Sequence, residues 1–312
     1  SSAASDVYKR QGFDFFYSGQ SDKALASFRE AYGIYRRAGV NEGQTDCLLY
    51  IAIVFSYEGR YEDVVVTYRK ALRLAPQASR WRRRLTWLSN MGRALERLAR
   101  YEEALDSYRE ALQVHREFGR NECLQITWLN DAGHVLQRVG RHDEALESYR
   151  EALEICRRTD CAGRQKADCL ESIGLSLSEL GRYEEALGAS REALDIYRKL
   201  PNVDQVRGDC LLCVGNVLYW DGRFEGARES YCQALEVYRR LKGAERRQAD
   251  CLVSIGKAQV MLDRYAEALD SWGEALEFYR RVGDGQEDQS DCLEEVMREL
   301  RDAMGSHEED AQ

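Results

Sequence analysis

Proline is nearly missing from this chain: 312 residues include 2 Pro, while the 24 Gly are an ordinary share. Sandwiches and barrels need a turn every ten residues or so, and a chain this poor in turn residues disfavours them. Long apolar runs are missing too. The longest, Cys47 to Phe55, is about half of the roughly 18 residues that a membrane span requires, and no charged-then-apolar leader opens the chain. Catalytic signatures fail in turn: there is no G-x-x-x-x-G-K-[ST], no H-E-x-x-H, no G-x-S-x-G and no strand to carry a dinucleotide fingerprint. The expectation is a soluble, cytoplasmic, non-enzymatic protein without cofactor or metal.

Positive charge is also in deficit. The net charge is -9, a sign opposed to general attraction to nucleic acid or an anionic membrane. From Asp284 to Gln312 eleven acids face only Arg298 and Arg301, so this stretch holds the whole surplus. Ten Cys are present, but a disulfide framework belongs to short secreted chains with a poor core.

What the sequence does have is a period. Asp168-Cys-Leu, Asp209-Cys-Leu, Asp250-Cys-Leu and Asp291-Cys-Leu recur at intervals of 41, and Asp46-Cys-Leu belongs with them. A small residue follows six positions later, in a column of Gly12, Ala52, Gly92, Gly133, Gly174, Gly215 and Gly256. Ala24, Val64, Ala104, Ala145, Ala186, Ala227 and Ala268 form a second column, and Ala31, Ala71, Ala111, Ala152, Ala193, Ala234 and Ala275 a third. Within a unit, apolar residues at 170, 173, 177 and 180 keep a helical period until Gly181-Arg182 interrupts it. A second helix then starts near Glu184-Glu185 and ends at Arg198-Lys199, charges that suit the two ends of its dipole. Each unit is therefore a helical hairpin, which buries its apolar faces by stacking on the next.

Leu170-x-x-Ile173-Gly174-x-x-Leu177, then Gly181-x-Tyr183-x-x-Ala186 and Ala193, resembles the tetratricopeptide repeat. The resemblance covers roughly Phe13 to Arg281, with Val64 and Ser190 in place of the usual Ala and Tyr. The longer period resembles the repeats of kinesin light chains and Pins-type polarity adaptors. It implies an all-α, right-handed α-solenoid of seven TPR-like helical hairpins plus a C-terminal capping helix. The expected layout runs as follows. Residues 1–11 are an incomplete or artefactual start, because Asp6-Val-Tyr-Lys-Arg-Gln11 resembles a translated sequencing adapter. Residues 12–283 form the seven-repeat solenoid, 284–304 an acidic capping helix and 305–312 a disordered tail.

The resemblance also implies a groove lined by the first helix of each unit. Carried over residue by residue, the partner-binding candidates are Tyr57, Asn90, Arg93, Arg97, Asn130, His134, Arg138, Asn216, Tyr219 and Trp220. Asn can donate to and accept from the backbone of an extended ligand, and Tyr219-Trp220 offers an apolar anchor. The implied function is a monomeric scaffold or adaptor whose partner is a protein or peptide with acidic and hydrophobic residues. One alternative is the regulatory region of a larger enzyme or signalling protein. Another is nucleic-acid binding through Arg80, Arg82, Arg83, Arg84, Arg93, Arg97 and Arg100, opposed by Glu96 alone; specific nucleic-acid binding is not expected, given the overall acidity. Cys210-x-x-Cys213 has zinc spacing but no second pair nearby. Since Trp87 and Trp128 complete the column of Cys47, Cys169, Cys210, Cys251 and Cys292, these are packing positions, and the thiols are expected to be buried and reduced, Cys156 and Cys161 least securely.

Overall fold

The computed structural model describes residues 2–75, 81–119, 122–159, 163–282 and 287–310, among which lie fifteen α-helices and no strand. Seven hairpins follow one another. They are α1 (Ser2–Tyr17) with α2 (Ser21–Arg37), α3 (Asn41–Tyr57) with α4 (Tyr61–Leu74), α5 (Trp81–Arg97) with α6 (Tyr101–Phe118), and α7 (Cys123–Arg138) with α8 (His142–Thr159). Then come α9 (Gly163–Glu179) with α10 (Tyr183–Tyr197), α11 (Asp204–Trp220) with α12 (Phe224–Arg239), and α13 (Glu245–Val260) with α14 (Tyr265–Val282), before a final α15 (Glu287–Asp310). The chain divides into two compact units, Ser1–Thr159 and Asp160–Gln312. Inside each, a first helix packs on the second helix of its own hairpin, and that second helix packs on the next first helix.

The small column exists because a side chain of the second helix presses on it. A Cβ at Gly12 would lie 2.5 Å from the ring of Phe28, at Gly92 2.6 Å from Tyr108, and at Gly133 2.5 Å from Tyr149. Residues of the two alanine columns such as Ala104, Ala111, Ala186 and Ala193 have no exposed surface at all. Small residues bring the helices close, and the large buried side chains beside them, Leu105 and Tyr108 for example, then each contribute about 1.5–3 kcal/mol.

Two further ladders hold the register. The Asp of the Asp-Cys-Leu motif accepts a hydrogen bond from a tyrosine 29 residues on: Tyr197 to Asp168 at 2.7 Å, Tyr238 to Asp209 at 2.7 Å and Tyr279 to Asp250 at 3.1 Å. At the turn of each hairpin, the residue before the second helix is an arginine in six units. Arg100, Arg141 and Arg264 pair with the acid three residues on, Glu103, Glu144 and Glu267. They also reach back to Glu62, Glu102 and Glu225 of the preceding hairpin.

Helix extends through the described residues at both ends. Residues 2–11 continue α1, where the hydroxyl of Tyr35 donates to Asp6 Oδ1 at 3.0 Å, again 29 residues apart, and Lys9 stands over the same ring. At the other end α15 runs on to Asp310, through most of the stretch expected as tail. Its Leu293 and Met297 are buried and Val296 is exposed. Burial pushes the Cys47 and Cys251 thiols up to about 12, as befits packing groups. Eight described cysteines are free. Cys161 lies outside the described residues.

Candidate functional site

In unit Ser1–Thr159 the site is built on the first helices, whose second helices hold them by the packing above. A cleft of about 500 Å³ opens among α1, α3, α4 and α5. Tyr57, Asn90, Arg93 and Arg97 line it, joined by Phe16 and Ile53. Tyr57 is 77% exposed and stacks edge-on to Phe16 at 5.8 Å between ring centroids. Asn90 Nδ2 donates to the hydroxyl of Tyr68 at 3.2 Å, which fixes the amide at the cleft wall. Both arginines are exposed. Arg93 makes one long contact, 3.4 Å, to Asp131 on α7.

The remaining candidates of this unit lie on α7 and do not line that cleft. Asn130 is half-buried; His134 and Arg138 are exposed. His134 Nδ1 lies 3.0 Å from the hydroxyl of Tyr149, which donates to Gln137 at 2.8 Å. Arg138 stands 5.5 Å from the ring centroid of Tyr101. The carboxyls on the same helices are held back: burial raises the pKa of both Glu96, which accepts from the hydroxyl of Tyr108, and Asp131, against the opposing pull of Arg93 on Asp131.

The wider basic run is a different matter. Arg83 pairs with Asp46 and Glu42, Arg84 with Glu110, and Arg100 with Glu62 and Glu103. Arg82 lies 5.1 Å from the Trp81 ring centroid, and Arg80 falls outside the described residues. The density of arginine seen in the sequence is largely spent on carboxylates of neighbouring helices.

In unit Asp160–Gln312 the candidates fall on α11. Asn216 accepts from the hydroxyl of Tyr231 at 2.8 Å, so its carbonyl oxygen already has a partner. Trp220 is 67% exposed, edge-on to Tyr219 at 5.8 Å. Tyr219 turns into a second cleft, of about 490 Å³, whose walls come from α13, α14 and α15. On α9, Glu171 and Asp168 both accept from the hydroxyl of Tyr197, at 3.0 and 2.7 Å. Burial lifts the Glu171 carboxyl to about 7, with Asp168 and Asp209 adding to the rise.

Models described as tetratricopeptide repeat match residues 123–199, 209–281 and 84–117, together more than half of the chain. The chain belongs to the tetratricopeptide repeat family. Repeats of this family are protein-interaction modules. The solved structures agree on the fold. A tetratricopeptide repeat protein from Parabacteroides merdae matches at 14% identity and TM-score 0.62, over 96% of this chain and 99% of that one. A signal transduction ATPase with a tetratricopeptide repeat sensor, from Pyrococcus horikoshii, gives 14% identity and TM-score 0.72 over 93% of this chain. The match spans 44% of that protein, less than half of its length. Kinesin light chain-like repeats from Podosopora anserina match 65% of this chain and 98% of theirs, at 14% identity and TM-score 0.56. No curated protein sequence is matched.

Within the tetratricopeptide register the sequence held a signal for one residue that was missed. Phe16 stands four positions after Gly12, as Tyr219 does after Gly215. The α15 side of the second cleft, Cys292 and Val296, carried no such signal, because α15 was read as a cap and not as a groove wall.

Proposed function

We propose that this tetratricopeptide repeat protein is a non-enzymatic interaction module. It takes a peptide segment of a partner protein into the cleft of α1, α3 and α5, with acidic residues against Arg93 and Arg97 and a hydrophobic side chain between Phe16, Ile53 and Tyr57. The observation that supports this reading is the convergence of Tyr57, Asn90, Arg93 and Arg97 on one cleft, with both guanidinium groups exposed. A peptide held by a few such anchors binds in the micromolar range, about -8 kcal/mol. Nucleic acid is not favoured, since Arg83, Arg84 and Arg100 are already paired.

Selection of peptides from a random library tests the reading. Wild type should enrich ligands with an acid beside an aromatic or aliphatic residue. The Arg93→Glu, Arg97→Glu double variant should lose them by tenfold or more. Identical ligands with equal affinity for both proteins would overturn it.

A further inference from the structure

The second cleft, wholly within Asp160–Gln312, differs in chemistry from the peptide cleft. Its walls are Val253, Val260 and Met261, with Trp272 of α14 and Leu293 and Val296 of α15. The polar atoms of its aromatic lining are largely engaged: Trp272 Nε1 donates to the Val253 carbonyl at 3.1 Å, and the Tyr279 hydroxyl donates to Asp250 at 3.1 Å. What these leave is apolar surface, and part of it stands open, with Met261 49% and Val296 39% exposed.

Among the described residues a single charged group lines this space, the exposed Lys257. Residues three and four positions away on its helix are Val253, Ser254, Val260 and Met261, none able to pair with an ammonium as an acid would. Lys257 makes no ion pair among the described residues, although most arginines around it do. Of the acids on α13, α14 and α15, Glu267 pairs with Arg264, Glu294 with Arg280, and Asp250 accepts from Tyr279. An apolar concavity of about 490 Å³ with one unanswered cation at its wall has the size and make-up of a small-molecule site.

We infer that this cleft binds a small amphipathic monocarboxylate, its chain between α13 and α15 and its carboxylate on the Lys257 ammonium. An extended peptide fits less well, because its backbone amides need side-chain partners and Gln289 is the one amide among the described lining residues. The apolar chain supplies affinity by burial, and the charge-assisted contact to Lys257 selects the headgroup. This site is independent of the peptide reading above, since it shares no residue with that cleft.

Calorimetric titration of the full chain with decanoate, decanol and decylammonium separates the two contributions. Decanoate should bind about tenfold tighter than decanol, the scale of one charge-assisted hydrogen bond, and decylammonium weakest. Lys257→Gln should erase the headgroup preference while keeping the chain's share, and Met261→Glu should weaken decanoate further. A second readout needs no affinity: Cys292 is the exposed cysteine among the described free ones and lies in the lining, so decanoate should slow its alkylation by iodoacetamide several-fold. Equal binding of the three amphiphiles, an unchanged preference in Lys257→Gln, or alkylation of Cys292 at the same rate with and without decanoate would each overturn the inference.

Discussion

The two units share one register and diverge at two positions within it. One and five residues after the small column, α5 and α7 of the first unit carry Arg93 with Arg97 and His134 with Arg138. At those positions α9, α11 and α13 of the second carry Leu175 with Glu179, Asn216 with Trp220, and Lys257 with Met261. The columns that face the partner helix hardly change between units, because ring and glycine must interlock. The columns that face away from that seam vary more: the first unit carries Ile53 with Tyr57 on α3 as well as its arginines, the second carries apolar, amide and acidic residues beside Lys257, and His134 and Asn216 each reach a tyrosine of their own hairpin. Architecture and recognition are thus written in different columns of the same helix.

The strongest way to sharpen the comparison is to disturb the seam where its chemistry differs. Gly92 faces the ring of the fully buried Tyr108, whereas Gly174 faces Ser190, the residue that replaces the usual Tyr. Gly92→Val forces a ring to move and should cost about 3 kcal/mol. Gly174→Val meets a small side chain that can rotate and should cost about half as much. Urea unfolding followed by circular dichroism distinguishes them, read as midpoints since repeat arrays need not unfold in one step. Equal losses would mean that the ring is not what fixes the column.

Next in size is a difference in pH response. The Glu171 carboxyl, on α9 with Tyr197, has its folded value raised from the ordinary 4.5 to about 7. A raised carboxyl binds more protons folded than unfolded. Its stabilising contribution is complete below about 4.5 and is lost as pH rises through about 7. Discounted for the solvent it still meets, the effect is about 2 kcal/mol. Glu171→Gln should leave stability unchanged at pH 4.5 and raise it at pH 8. The turn carboxylates Glu103, Glu144, Glu225 and Glu267 have the opposite sign, lowered chiefly by hydrogen bonds from their arginines. Their contribution is present above the ordinary value and lost at more acid pH, so the two windows do not overlap. A variant whose urea midpoint follows wild type across pH 4.5–8 would remove Glu171 as the cause.

How much of this was legible beforehand follows the same division. Recurrence at 41 residues exposed the hairpins and the small columns, because each repeat solves one packing problem in the same way. The Asp-Cys-Leu motif was visible as a marker while its reason was not: the tyrosine that satisfies Asp168 lies 29 residues on, at Tyr197 near the end of the hairpin's second helix. Similarly, Arg83 and Arg100 read as free positive charge in the sequence, since Asp46 and Glu62, their partners, come close only when hairpins stack. Of the candidate site, Tyr57, Asn90, Arg93 and Arg97 were brought into one cleft by register alone. Asn216, by contrast, has its oxygen taken by Tyr231, a contact that no spacing within one helix announces.

The smallest expected effect concerns the turns, where the units again differ at equivalent positions. Most hairpin turns place glycine in the left-handed region, as at Gly59 with φ 72 and Gly140 with φ 76, but Ala99 and Asp263 occupy it at φ 56 and 57. An L-residue there costs about 1–2 kcal/mol. Replacing it by glycine returns part of that as extra entropy of the unfolded chain, about 0.5–1 kcal/mol. Ala99 is exposed, so Ala99→Gly should raise stability by about 0.5 kcal/mol. Asp263 is different in two respects. Aspartate tolerates this conformation better than alanine, and its carboxylate accepts from the hydroxyl of Tyr265 at 2.7 Å. Asp263→Gly gives up both advantages and should be neutral or slightly destabilising. Differential scanning calorimetry on the two single variants resolves the sign. If both substitutions raise the melting temperature equally, the carboxylate at Asp263 adds nothing to its turn, and backbone strain alone decides the two positions.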